Sequence, residues 1–130
     1  MEAFLHINNF SNEKTNILEL DEPSLFHCRV YSYTRGHSVL SIELTDSRIS
    51  DYKPQYVTFD AVQYFEGSIG WMGANLCVKR FDTVLNPQEI SNPITHLMPM
   101  FAFIGGNVQI KIWAGNTITI SDSAPAERTM

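Results

Sequence analysis

Two stretches of this chain place an apolar side chain at every second position, and that pattern allows little besides β-structure. In one, Leu40, Ile42 and Leu44 alternate with Ser41 and Glu43. In the other, Val108, Ile110 and Ile112 alternate, as do Ile118 and Ile120. A period of two is that of a strand with one oily and one wet face.

Register then selects the connections. With Arg35-Gly36-His37 as a three-residue loop, Val30 stands opposite Ile42 and Cys28 opposite Leu44. The other face carries Arg29 opposite Glu43, an opposite-charge pair, and Tyr31 opposite Ser41. A one-residue slip would exchange the faces, so the spacing predicts a hairpin of strands 25–34 and 38–45. By the same reasoning Ala114-Gly115-Asn116 pairs Ile112 with Ile118 and Ile110 with Ile120, a hairpin of 108–113 and 117–121.

Shorter signals fill in the rest. Residues 3–10 and 17–20 are apolar runs around a polar cluster, which reads as a further hairpin. Between 55 and 65 the apolar positions move from odd (Val57, Phe59) to even (Val62, Tyr64), predicting a bulge near Asp60-Ala61. Gly67, Gly70 and Gly73 surround Trp71 in a turn or loop. Residues 74–82 read as a strand with Leu76 and Val78 on one face and Cys77 and Phe81 on the other. Asn86-Pro87-Gln88-Glu89 has the cap, proline and acid of a helix start, with Pro93 limiting it to one or two turns. Residues 94–107 give no clear pattern, and 122–130 read as a flexible tail. The expectation is one all-β domain over 1–121. It is an antiparallel sandwich or partly closed barrel of about eight strands, with one short helical turn.

Composition narrows the function. A chain of 130 residues, 44% apolar, builds a core without disulfides or metal. Nine basic and fourteen acidic side chains give a net charge of -5. Such a surface repels phosphate, so direct nucleic-acid binding is not expected, and it speeds encounter with a basic protein. No apolar run is long enough for a membrane helix, and the start lacks a signal-peptide pattern, so a soluble cytoplasmic protein is expected. Cys28 and Cys77 each fall inside a predicted strand and read as reduced core residues.

Catalytic patterns are missing. His6, His27, His37 and His96 have no neighbours at metal-ligand spacing, and there is no nucleophile elbow. The glycines around Trp71 lack the lysine of a phosphate loop. No catalytic residue, metal or cofactor is therefore expected.

Binding candidates remain. His27, Arg29, Tyr31 and Tyr33 share the face opposite Val30 and Ile42, and tyrosine and arginine are favoured at interfaces. Trp71 either packs under a sheet or contacts a partner. Trp113 lies with Gln109 and Lys111, away from the isoleucines, and either packs under a loop or faces a partner. Asp60 and Glu66 are acids flanking the expected bulge. A barrel would instead line a small-molecule cavity with Tyr31, Tyr33, Tyr56, Tyr64 and Trp71. Exposed sheet edges also allow a homodimer.

Four segments carry a resemblance: Pro23–Val30, Gly36–Leu44, Val57–Val62 and Gly106–Ile112. In this order they resemble small bacterial β domains found among immunity proteins of polymorphic toxin systems and related uncharacterised families. Many of those carry S-x-H-D-A where this chain has Ser24-Leu25-Phe26-His27-Cys28-Arg29, without the aspartate. The resemblance implies a non-catalytic protein that binds and blocks a toxin.

Overall fold

A computed structural model of the chain describes residues 2–7, 13–34, 36, 38–49, 53–85, 95–105 and 108–124. Strands β1 (Glu2–His6), β2 (Phe26–Thr34), β3 (Val39–Asp46), β4 (Gln55–Phe59) and β5 (Tyr64–Glu66) occupy the first half. Strands β6 (Gly70–Met72), β7 (Asn75–Leu85), β8 (Thr95–Gly105), β9 (Val108–Trp113) and β10 (Thr117–Ser121) follow. A 3-10 turn, Pro23–Leu25, precedes β2. The strands form two antiparallel sheets, ordered β1-β10-β4-β3-β2-β6 and β5-β9-β8-β7. The protein is an all-β sandwich, and the sheets do not close into a barrel.

The core lies between the sheets. Leu40, Ile42, Val57, Phe59, Trp71 and Ile118 from the larger sheet meet Leu76, Val78, Phe101, Phe103, Ile110 and Ile112 from the smaller. Phe59 packs edge-on against Phe101 at 5.3 Å, and Trp71 lies 5.1 Å from Phe103.

The first hairpin keeps the expected pairs Val30–Ile42, Cys28–Leu44 and Arg29–Glu43. It departs from expectation beyond Val30. The register shifts there, so Ser32 rather than Tyr31 stands opposite Ser41, and Tyr33 stands opposite Leu40. One residue of β2 is looped out as a bulge, which lengthens the connection to 35–38. Arg35 and His37 lie outside the described residues.

The second expected hairpin does not form. β9 pairs with β8 and β5, whereas β10 pairs with β1 and β4. Ala114, Gly115 and Asn116 carry the chain from one sheet to the other. Ile112 and Ile118 are both fully buried, but they enter the core from opposite walls. The expected bulge at Asp60-Ala61 is a second such crossing, from β4 to β5. The expected even inward parity holds at Val62, which is buried, but not at Tyr64: β5 turns Phe65 toward the core and leaves Tyr64 exposed. The two crossings brace each other. Gly115 N–H donates to Asp60 O at 2.8 Å, and Gln63 N–H donates to Trp113 O at 2.8 Å. Ala61 is left-handed there, with φ 53°, a conformation that costs a non-glycine residue about 1 kcal/mol.

Residues 17–20 do not pair with β1, which joins β10 instead. Lys14 bridges to Val78 through reciprocal backbone bonds of 3.0 and 2.8 Å, and Ile17 N–H donates to Leu76 O at 2.9 Å. That segment lines the edge of β7. The unassigned stretch 94–107 contains β8, a long strand. Pro99 fits it because it sits beside the register shift at Val78–Arg80, past the last β9 pair. The helix expected at Asn86–Glu89 lies outside the described residues, as do residues 125–130 of the expected tail.

Gly67 explains why a side chain is excluded after β5. Its φ is +151°, and an added Cβ would overlap Ile110 Cδ1 and come within 3.3 Å of Ile110 Cα. Backbone strain and overlap with a fully buried neighbour act together. Gly67→Ala is expected to destabilise the protein by about 3 kcal/mol, read as a lower urea midpoint at unchanged slope.

Candidate functional site

Inward placement of Cys28, Ile42, Leu44, Val57 and Phe59 forces the residues between them outward, because strand side chains alternate. On the outer face of the larger sheet this assembles one row across five strands. Ser121 stands opposite Tyr56, Tyr56 opposite Glu43, Glu43 opposite Arg29, and Arg29 opposite Gly70. The row is chemically linked. Arg29 Nε donates to Glu43 Oε1 at 2.7 Å, and the Tyr56 hydroxyl donates to Glu43 Oε2 at 3.2 Å. Tyr31 meets Tyr56 edge-on at 5.0 Å.

Exposure differs along this row. The side chain of Arg29 is 57% exposed and that of Glu43 only 12%. Tyr31 is exposed, whereas Tyr56 is buried beneath it. Burial raises the Tyr56 hydroxyl pKa, and the charge of Glu43 raises it further. The neutral phenol therefore remains a donor to Glu43. The arrangement is a fixed acceptor, Glu43, holding a guanidinium and a phenol in place, with Arg29 and Tyr31 presented to solvent. A second row, Thr119–Thr58–Ser41–Ser32, runs beside it, with the Ser41 and Thr58 hydroxyls 3.0 Å apart.

The expected binding residues divide among several places. His27 and Arg29 share this outer face, with His27 between Met72 and Thr45 in register. Tyr31, the residue displaced by the bulge, joins them through Tyr56. Tyr33 does not, because the shift sets it opposite Leu40. Trp71 is not a surface contact. It is 5% exposed, packs on Phe103, and donates from Nε1 to Gly73 O at 2.9 Å. Asp60 is exposed on the β4–β5 crossing. Glu66 belongs to the smaller sheet, opposite Lys111.

Trp113 is half-buried on the outer face of the smaller sheet, its ring 5.1 Å from that of Tyr64 and nearly perpendicular to it. It packs against a neighbouring strand's tyrosine, a partner set by the β5–β9 pairing. The spacing predicts one bulged strand over 55–65, and such a strand gives no sign that Tyr64 lies beside Trp113.

Sequence reasoning also missed Arg48. Its guanidinium bonds Asp46 at 2.8 Å and Glu22 at 3.2 Å, and lies 3.5 Å from Asp21. The hydrogen bonds from Arg48 hold the Asp46 carboxyl below its ordinary pKa. This group clamps the turn after β3 to the segment preceding the 3-10 turn. Its only sequence signal was an isolated arginine in an acidic neighbourhood.

Among the described residues, no group of three His, Cys, Asp or Glu side chains is arranged to hold a metal. No helix among them is long and apolar enough to cross a membrane. No protein-family model, curated protein or solved structure matches the chain.

Proposed function

We propose that the protein is a non-catalytic binding module that engages another protein through Arg29, Tyr31 and His27. The supporting observation is the Arg29–Glu43–Tyr56–Tyr31 linkage. It holds an exposed arginine and tyrosine in one arrangement before binding, which lowers the ordering cost of association. These two residue types are also those enriched at binding hot spots. The net charge of -5 supports a basic partner. A toxin blocked by an immunity protein is the partner class that suits this reading.

The test is capture from lysate of the source cells, with Arg29→Ala/Tyr31→Ala as the matched bait. A specific partner is expected on the native bait, with affinity for the double variant lowered at least ~30-fold. Equal affinity for both baits overturns the reading.

A further inference from the structure

We infer that β1 is a homodimer interface, pairing antiparallel with the β1 strand of a second copy about a two-fold axis through Phe4. Four strands among the described residues lie at sheet edges: β1, β6, β5 and β7. Lys14 and Ile17 occupy the first part of the β7 edge, at Val78 and Leu76. β5 and β6 have three residues each. β1 has five, bonds only β10 among the described residues, and carries no proline or lysine to block pairing.

Its sequence, Glu2-Ala3-Phe4-Leu5-His6, is complementary to itself when reversed. Centred on Phe4, the register sets Phe4 opposite Phe4 of the second copy, Glu2 opposite His6, and Ala3 opposite Leu5. Phe4 and His6 are exposed, so their row sets an aromatic pair at its centre, and the register places an acid opposite an imidazole at each end. The inward row sets a small residue opposite a large one. Phe4 is 69% exposed, whereas Leu5 packs against the core. A second copy would cover the largest ring that this edge leaves in water. The same patch serves both subunits, as a closed two-fold interface requires. The axis is perpendicular to the sheet, so the outer faces of both copies point the same way.

A short edge gives a weak dimer, with Kd in roughly the micromolar to millimolar range. Disulfide trapping reads the register directly. Cys28 and Cys77 are both buried, so a cysteine introduced at an exposed position reports alone. Under mild oxidation Phe4→Cys is expected to form a covalent dimer at least tenfold faster than Ile69→Cys. Ile69 is 82% exposed, beside β6 at the opposite edge. Equal rates overturn the inference.

Sedimentation of the untagged chain supplies the independent arm. Phe4→Lys is expected to raise Kd at least tenfold with an unchanged circular dichroism spectrum. Glu2→Lys alone and His6→Glu alone weaken association, and the double exchange restores it. A native chain that stays monomeric at millimolar concentration, or a dimer indifferent to Phe4→Lys, overturns the proposal.

Discussion

Phe101→Ala is expected to remove about 4 kcal/mol of stability, the largest loss from any single truncation considered. Phe101 is fully buried on β8 and meets Phe59 of the opposite sheet edge-on. Truncation loses the transfer free energy of the ring and leaves a cavity between the sheets. Strands on both sides are fixed by their ladders, so the walls cannot close on it. The perpendicular ring contact adds about 1 kcal/mol beyond burial alone. Domains of this size have roughly 5–15 kcal/mol in total, so the variant approaches marginal stability. The measurement is the urea midpoint at constant slope, together with a fall in Tm of about 15 °C. Phe101→Leu, which refills most of the space, is expected to cost less than half as much. Tyr31→Ala on the outer face should stay within about 0.5 kcal/mol. Equal losses at the two positions would contradict the placement of the core.

The importance of Phe101 was hidden because β8 has no oily and wet alternation. Met100 and Ala102 on its other face are buried too. A strand covered on both faces reads as a continuous apolar run, without the period of two that marks a half-buried strand. The first hairpin was legible because Arg29 and Glu43 mark its wet side while Cys28 and Leu44 mark its oily side. Even there, a bulge that shifts only the distal pairs has no signature in apolar spacing.

Periodicity reports which way a side chain points and not which strand lies beside it. Ile110 and Ile112 face inward whether β9 pairs with β10 or crosses to the other sheet. Both arrangements bury the same isoleucines beside the same short loop. What distinguishes them is the company of other strands, β5 and β8 for one and β1 and β4 for the other. The candidate site shares this limit. Arg29 and Glu43 were recognisable as a pair within one hairpin. Tyr56 enters only through the β3–β4 ladder, and it is what ties Tyr31 to the pair.

Cys28 makes a second large effect available, as a loss of stability in alkali. Its side chain is fully buried, its thiol donates to Gly73 O at 3.5 Å, and burial pushes its pKa from an ordinary value near 9.0 up to about 12. Below pH ~9 the thiol is protonated whether the chain is folded or unfolded, and its contribution is fully present. Above that, the unfolded chain releases a proton that the folded chain retains. Stability then falls by about 1.4 kcal/mol per pH unit until the folded thiol itself ionises near pH 12. The total approaches about 4 kcal/mol. The raised Tyr56 hydroxyl acts in the same direction. Cys28→Ala separates the two. It is expected to lower stability at pH 7 by about 1–2 kcal/mol through the lost sulfur, and to flatten the decline between pH 9 and 12 by one proton. Urea titrations of both proteins across that range make the comparison. Parallel pH profiles would show that Cys28 is not the residue whose ionisation opposes the fold. Alkylation of native Cys28 should likewise wait for unfolding, because a buried neutral thiol is a poor nucleophile.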